Sequence, residues 1–422
     1  MQRRIVLSGL AAAALAALSA ACADETPTLS GEGAFPGAAV PVTLEMVVPA
    51  SEFAELLGTF SGYTSAADAP YLVVANQYQG ALDAHGLAGF PRFPTTYTYR
   101  RDGVDKADGQ FTYRDSRLVL KVDTTGVSAT PFTIQVWQAT QDWHGNSATW
   151  TLAVDTGAVS TPWTEPGGTR GALLGQATFS GGSDSLEVTL PAAAVQALSD
   201  TTAPGVVLTV AEADRRVLLS DVLLRVAVHP DSASPDTTIV TSLQGIRNRV
   251  FVYTPEQPAP GPGQWAAGGI RGARTLVRLN PLHPVPACAT PATCGTLPLS
   301  EVSLNRVSLL LEPEPVPDGF GVVESVPLTL HVVPEPELGR GAPLGPVITD
   351  GPARLAAGDT LVDLGITALT ASLAAGDTVP LTFMLVSEIS GLGIPPTFST
   401  AFFRGEPRLR IVYTIPARRR LP

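Results

Sequence analysis

Cysteine, lysine and charged residues in general are scarce in this chain. Its 422 residues include three cysteines, and 15% of them are charged against 45% that are hydrophobic. Lysine occurs only at Lys106 and Lys121, and the formal net charge is -11. A disordered chain is excluded because disorder goes with low hydrophobic content, and nucleic acid is excluded as a partner because its backbone attracts clustered cations. The length is sufficient for two domains with sizeable cores.

Long apolar runs are also absent, and the most apolar stretch lies near the N-terminus. Ile5–Leu18 is too short to span a bilayer, and it follows the charged pair Arg3 and Arg4. A charged start followed by a short apolar run is typical of a signal peptide. We therefore predict a signal peptide at residues 1–21 and an exported protein.

A cysteine stands directly after this apolar run. The stretch Leu18-Ser19-Ala20-Ala21-Cys22 resembles the lipobox of bacterial lipoproteins, with Ser19 at the position where leucine is usual. The resemblance implies cleavage before Cys22 and attachment of lipid to its sulfur. Ordinary signal-peptidase cleavage near Ala21 or Ala23 is the alternative.

The residues after Cys22 are typical of a flexible linker between a lipid anchor and a folded domain. The segment 22–39 is rich in small and polar residues, with prolines and glycines, and predicts a flexible tether. We therefore expect a lipid-anchored protein of the bacterial cell envelope, at the outer membrane or the cell surface. The membrane is the first predicted partner.

The other two cysteines are close together in the sequence. Cys288 and Cys294 lie within the proline-rich loop Pro281–Pro298. In an exported protein this spacing predicts a local disulfide. A metal site would need more ligands, and His283 is the nearest candidate, so no zinc site is predicted.

Glycine and proline are plentiful, at 40 and 38 residues, and are spread along the whole chain. This distribution favours many strands joined by turns, and the apolar residues alternate with period two as strands require. The helix-like segments are short, at Pro191–Leu198 and Thr367–Ala374. The strands predicted after residue 70 include Tyr71–Ala75, Phe111–Tyr113, Arg117–Val122, Ile134–Trp137, Leu173–Phe179, Leu186–Leu190, Gly205–Ala211, Leu223–Val228, Ala273–Leu279, Ser303–Leu311, Pro327–Val333 and Arg408–Thr414.

The two halves of the chain share a pattern. Each helix-like segment lies between two predicted strands, and the turn-rich segment Pro230–Pro235 separates the halves. We therefore predict an all-β fold of two tandem antiparallel β-sandwiches with short helical turns. The modules span residues 40–230 and 236–416, and a basic tail occupies 417–422.

These motifs resemble the DNRLRE-type jelly-roll module of bacterial surface and secreted proteins, a group that includes some carbohydrate-binding modules. The matching segments are Arg117–Leu120, Arg274–Leu279, Ile134–Trp137, the W-x-x-x-x-x-T-W loop Trp143–Trp150, Leu186–Thr189, Val195–Leu198 and the closing strand Pro407–Thr414. The second half lacks the tryptophan loop, and Leu198 stands where the family has tryptophan. The resemblance implies jelly-roll-like modules of a surface lipoprotein.

Motifs that carry chemistry are few. The five histidines, His85, His144, His229, His283 and His331, are not spaced for a metal, and each is interpreted as a solvated or strand-end residue. No nucleophile elbow or phosphate loop is present. Acidic turns at Asp231–Asp236 and at Asp350 are compatible with calcium, but the EF-hand spacing is not met. No cofactor and no catalytic residue are therefore assigned.

Tryptophan is the remaining candidate. Trp137, Trp143 and Trp150 lie in the jelly-roll motif, where a structural role in the core or at the end of the sandwich is expected. Trp163 and Trp265 lie in loop contexts, so they are the candidate ligand-binding aromatics, and a structural plug at the end of the sandwich is the commoner alternative for such a tryptophan. Exposed rings of this kind stack on the C–H faces of sugars.

Three functions follow, in descending order. The first is a non-catalytic envelope lipoprotein with a structural or surface-interaction role, whose partner is another envelope protein. The alternative is a carbohydrate-binding protein that recognises a polysaccharide through a sandwich face or loop aromatics. The third is a glycan-cleaving enzyme, for which no acid–base pair stands in a recognisable context.

Overall fold

The computed structural model describes residues 41–243, 246–279, 284–288, 294–323, 325–351, 353–376, 381–388 and 398–416. The predicted signal peptide at 1–21, the tether at 22–39 and the basic tail at 417–422 lie outside these residues. The described chain is mostly β-strand, and its sheets are antiparallel. The predicted all-β class is therefore confirmed.

Strands account for most of the elements. The first fourteen are β1 Val42–Pro49, β2 Ala54–Phe60, β3 Leu72–Tyr78, β4 Leu82–Gly89, β5 Tyr97–Arg101, β6 Val104–Asp108, β7 Phe111–Asp123, β8 Phe132–Ala139, β9 Leu152–Asp155, β10 Ser160–Pro162, β11 Arg170–Phe179, β12 Ser185–Leu190, β13 Val206–Val210 and β14 Arg215–Pro230. The others are β15 Ile239–Leu243, β16 Asn248–Thr254, β17 Trp265–Gly268, β18 Arg274–Leu279, β19 Val285–Pro286, β20 Thr296–Leu297, β21 Ser303–Leu311, β22 Pro313–Glu314, β23 Val326–Val332, β24 Ala353–Leu355, β25 Val362–Gly365, β26 Thr382–Val386, β27 Thr400–Phe403 and β28 Arg408–Ile415.

The helices are short. The α-helices are Ala50–Phe53, Ala192–Leu198 and Thr367–Ala375, and the 3₁₀ segments are Leu299–Glu301 and Pro336–Gly341. Two of the α-helices stand where the sequence predicts them. None of the helices in the described ranges has the length and apolar character needed to cross a membrane.

The largest sheet curls into a nearly closed barrel. Its strand order is β11-β8-β13-β4-β3-β14-β7-β12, with β15 added beside β14 and β16 added beside β4. The ends of this order come together, because a Cβ built on Gly175 in β11 would clash with the Thr189 carbonyl oxygen in β12. Closure of this kind covers the edges that an open sheet would leave unpaired.

Alternate side chains along the strands point into the barrel interior and form its apolar core. In β4, Leu82, Ala84 and Ala88 point into the main apolar core, whereas Leu87 belongs to a cluster on the outer face. The core also takes buried valines and leucines from β3, β7, β13 and β14. Apolar side chains therefore fill both faces of β4, the pattern of a strand that is covered on both sides.

A long excursion covers part of the outer face of the barrel. It leaves β8 and returns at β11, and its two ends meet where the Thr140 amide donates to the Thr169 carbonyl at 3.2 Å. The alternation of Trp150, Leu152 and Val154 predicts a strand that starts near Ala148. In the structure only Leu152–Asp155 is extended, and it pairs with β10 rather than β8. The first half of the predicted strand is instead a turn that seats Trp150.

A five-stranded sheet has the order β2-β18-β26-β23-β24. On one face, Leu276 and His331 both lie opposite Met384, so the three side chains share that face. Val333, Ala342 and Leu344 pack on the same apolar cluster. The segment after β23 therefore covers this face.

Five smaller sheets are formed by the remaining described strands. One four-stranded sheet has the order β1-β28-β21-β25, and a three-stranded one has the order β17-β27-β22. The two-stranded pairs are β5-β6, β9-β10 and β19-β20.

Strand pairing crosses the predicted boundary at 230–236. Strand β15 pairs with β14 and β16 pairs with β4, although both follow the boundary in sequence. Strand β2, from the first predicted module, pairs with β18 from the second. These pairings do not confirm the two tandem modules, which stay a prediction.

The chain divides into two compact units that differ from the predicted modules. The smaller comprises Met1–Leu44, Pro284–Ser303 and Tyr413–Pro422, and the larger comprises Glu45–His283 and Leu304–Val412. In the described part of the smaller unit, the β19–β20 hairpin holds the two loop cysteines, and the Tyr413 hydroxyl donates to the Pro286 carbonyl at 2.8 Å.

Candidate functional site

The two predicted ligand-binding tryptophans are buried. Trp163 is 6% exposed, and its indole nitrogen donates to the Thr149 carbonyl at 2.9 Å. Trp265 is 2% exposed and lies in β17 opposite Phe403. Their rings are therefore not exposed platforms for a sugar, because Trp163 packs in an apolar cluster and Trp265 lies within a strand of the β17-β27-β22 sheet.

The three tryptophans expected to be structural lie in one cluster with Trp163. Trp143 is buried, and Trp137 and Trp150 are half-buried against the same apolar side chains on the outer face of the barrel. The Trp137 indole donates to Thr209 Oγ1 and the Trp143 indole to the Pro204 carbonyl, both at 3.0 Å. Four of the five tryptophans thus hold the 140–170 excursion on the barrel.

The two loop cysteines are bonded as predicted. A disulfide joins Cys288 and Cys294, whose Cα atoms are 6.0 Å apart. Cys22, the predicted lipidation site, lies outside the described residues.

The acidic candidates for calcium do not form a site in the described part of the chain. There, no three His, Cys, Asp or Glu side chains come together as metal ligands would. The Asp350 carboxylate instead accepts from the backbone amides of Thr367 and Ala368, at 2.5 and 3.1 Å. It thereby satisfies the free amides at the start of the Thr367–Ala375 helix.

His331 departs from the prediction that the histidines are solvated or at strand ends, and so does the half-buried His85 in the middle of β4. His331 is 6% exposed, in the middle of the covered face of the five-stranded sheet. Its Nδ1 lies 2.8 Å from the Gly345 carbonyl oxygen, which can only accept, so Nδ1 carries a hydrogen. The tautomer of the neutral ring is thereby set, with Nε2 left as the free nitrogen.

Glu388 faces that nitrogen. Its Oε1 lies 2.5 Å from His331 Nε2, in a direction that gives Nε2 no linear hydrogen bond with a described residue. His331 and Glu388 therefore form a close, partly buried histidine–carboxylate contact.

A second pair lies at the neighbouring strand ends. The Arg274 guanidinium, at the start of β18, stands 4.0 Å from the centre of the Tyr63 ring, which follows β2. Arg340, in the 3₁₀ segment, lies 5.9 Å from the same ring and donates to the Gly62 carbonyl at 2.6 Å. Two cations thus flank one phenol.

At Tyr63 and Arg274, burial and the neighbouring charges shift the pKa in opposite directions. Burial raises the pKa of Tyr63, and the guanidinium groups of Arg274 and Arg340 offset part of this rise. Burial lowers the pKa of Arg274, while Tyr63 and the Glu388 carboxylate favour its charged form. Arg274 is thus electrostatically linked to the His331–Glu388 pair.

We name Tyr63, Arg274, His331, Arg340 and Glu388 the sheet-face cluster. Its members follow or belong to the consecutive strands β2, β18, β26 and β23, or to the segment after β23. The cluster combines guanidinium donors, a phenol and a fixed acid–base pair. Such a set can hold an oxyanion.

The sequence offers little signal for this cluster. Its members are separated by stretches of up to 211 residues, from Tyr63 to Arg274, and no spacing rule links them. The one local signal is the alternation in Pro327–Val333, which places His331 on the same face of the strand as Thr329. Both side chains are polar, so the pattern predicts a solvated face, whereas the structure buries both of them.

Comparisons of this chain with models of protein families, with curated proteins and with solved structures find no match in any of the three. The resemblance to the DNRLRE-type jelly-roll module therefore stays an expectation that depends on the motifs of the sequence.

Proposed function

We propose that this protein is a non-catalytic lipoprotein of the bacterial cell envelope, with a structural or surface-interaction role. The observation that carries the proposal is the use of its tryptophans. Four of the five pack in one cluster, and three of their indole groups donate to atoms of the protein itself. The residues best suited to stacking on a ligand stabilise the fold instead.

The proposed attachment to lipid is supported by the sequence around Cys22, which resembles a lipobox. The described residues begin at 41, and β1 starts at Val42. Thr43 Oγ1 and Thr414 Oγ1 are 2.8 Å apart, so the start of β1 lies beside the end of β28. A tether from Cys22 therefore enters next to the strand that leads to the basic residues at 417–422.

The arginines that follow β28 favour a membrane as partner. Arg418, Arg419 and Arg420 follow Ile415, the last residue of β28, by three to five positions. An arginine close to an anionic lipid surface contributes about 1 kcal/mol of attraction. Lipid at Cys22 and these arginines together would supply the two signals that stable anchoring needs.

The two tryptophans that were candidates for sugar binding do not support the carbohydrate-binding alternative. Stacking on a sugar requires a ring that solvent can reach, and Trp163 and Trp265 are both buried. We therefore do not propose it as a second function.

Cell fractionation of the Cys22→Ala variant tests the anchoring. We expect the wild-type protein in the membrane fraction even after a high-salt wash, and the variant in the soluble fraction. The Cys288→Ser variant is the matched control, because it also removes one cysteine and should stay with the membrane. A Cys22→Ala protein that remains in the salt-washed membrane would contradict the anchor.

A polysaccharide panel tests the non-catalytic role with the same Cys22→Ala protein. We expect neither retention on any polysaccharide nor release of soluble sugar. Circular dichroism should show an intact β-fold in the same sample. Retention or product release by this folded protein would overturn the proposed role.

A further inference from the structure

We propose that the sheet-face cluster binds a small oxyanion, a carboxylate or a phosphate group, with Arg274 as its charged donor and the Tyr63 hydroxyl as its neutral donor. The inference goes beyond the proposed role in the envelope and does not depend on lipid at Cys22. It is carried by the donors of the cluster that have no acceptor in the described part of the chain.

Arg274 and Tyr63 have unused donors. The guanidinium of Arg274 contacts the Tyr63 ring at 4.0 Å, but makes no hydrogen bond or ion pair with a described residue. The Tyr63 hydroxyl is shielded from solvent and also has no hydrogen-bond partner among the described residues. Buried polar atoms are nearly always paired, so the Tyr63 hydroxyl is an exception that a bound acceptor would remove.

His331 supplies an independent observation. It is 6% exposed, and its Nε2 is without a hydrogen bond in the described structure although Glu388 lies against it. The Glu388 carboxylate is thus held at His331, and within the described residues it forms no ion pair with Arg274. Glu388 therefore favours the charged form of Arg274 but does not occupy its hydrogen-bond donors.

The charges of the cluster favour an anion. Arg274 and Arg340 supply two positive charges, and the Glu388 carboxylate supplies one negative charge. The cluster therefore carries an excess of positive charge in a chain whose net charge is -11. An arginine guanidinium binds carboxylate and phosphate through paired donors, which matches the free edge of Arg274.

Solvent reaches part of the cluster. Arg340 is exposed, and Tyr63 and Arg274 are half-buried. A small anion can therefore approach from the side of Arg340, whereas His331 forms the buried side of the site. Carboxylate and phosphate share this chemistry, so a test needs one probe for each.

Titration calorimetry of the full-length protein in detergent, with inorganic phosphate and with acetate, tests the proposal. Sodium chloride at matched ionic strength is the reference. We expect saturable binding of at least one probe, with a rise in the melting temperature. Phosphate alone would indicate a phosphorylated ligand, and acetate alone would indicate a carboxylate.

Three variants locate the site. Arg274→Gln should weaken binding at least tenfold, and Tyr63→Phe should weaken it roughly three- to tenfold while keeping the ring that packs under Arg274. Arg278→Gln is the matched control, because it removes an arginine from the same strand whose partner is Glu55. It should leave binding unchanged.

Two results would overturn the proposal. One is the absence of saturable binding of either probe to the folded wild-type protein. The other is an equal loss of binding in Arg278→Gln and Tyr63→Phe, which would indicate general attraction to charge. If Arg274→Gln fails to fold, Tyr63→Phe decides, because it removes one hydroxyl and preserves the packing.

Discussion

At the scale of single residues, His85 and His331 make the same contact with a backbone carbonyl in different surroundings. His85 Nδ1 lies 2.7 Å from the Gly167 carbonyl, much as His331 Nδ1 lies beside that of Gly345. His331 faces a carboxylate, whereas the His85 ring packs on Trp150, with centroids 4.9 Å apart. Burial lowers the pKa of His85 to about 4, so this ring is neutral at pH 7.

This shift predicts a loss of stability in acid. The unfolded chain protonates His85 near pH 6.5, but the folded chain does so only near pH 4, so between these values the unfolded state binds more protons. The stabilisation is complete above pH 6.5 and is lost as the pH falls toward 4, by at most about 3 kcal/mol.

The matched comparison is with His85→Gln, which does not titrate and keeps a donor for Gly167. We expect the free energy of unfolding, measured in urea, to fall more steeply for the wild type than for the variant between pH 7 and pH 4. Parallel curves for the two proteins would show that His85 is not buried as described.

At the scale of elements, the seam of the barrel depends on a glycine. Gly175 lies in β11 opposite β12, and a side chain there would meet the backbone of Thr189 rather than a movable side chain. Backbone in two strands would have to shift to admit a methyl group. The close approach of β11 and β12 is therefore encoded at this one position.

Gly175→Ala should destabilise the protein by about 1–3 kcal/mol, the range for overpacking in a well-packed site. Gly351→Ala is the control, because a Cβ at Gly351 meets nothing within 4 Å, and it should change stability by less than about 0.5 kcal/mol. Urea denaturation of both variants measures the difference. Equal stability of the two variants would mean that the seam is open.

Local patterns predict some elements and miss others. The helix Ala192–Leu198 and the strand β12 follow from propensity and alternation, and both are within one residue of the prediction. Strand β4 is missed because its sequence, LDAHGLAG, is rich in glycine and alanine. It is extended because β3, β13 and β16 pair with it, and such partners are invisible in a local pattern.

Local sequence patterns do not predict the candidate site either, for the same reason. The sequence around Trp163 and Trp265 allows either an exposed ring or a structural role, and the structure buries both rings. The sheet-face cluster is created by the pairing of β2, β18, β26 and β23, which are far apart in sequence. Period-two alternation predicts that strands exist and which side is apolar, but not which strands pair.

At the scale of the whole molecule, the proposed role depends on where the chain is attached. The start of β1 lies beside the end of β28, so the segment after Cys22 and the segment with the arginines at 418–420 join the fold at neighbouring points. The remainder of the chain is acidic overall, with a net charge of -11 for the full sequence. Anionic lipid would therefore attract the arginines and repel most of the body.

The mass of the N-terminal peptide of the mature protein tests this account most directly. Protein extracted from membranes of its host would be digested with a protease and analysed by mass spectrometry. We predict a peptide that begins at Cys22 and carries a diacylglyceryl group on its sulfur. An unmodified peptide that begins near Cys22 or Asp24, as ordinary cleavage after Ala21 or Ala23 would produce, would contradict the account.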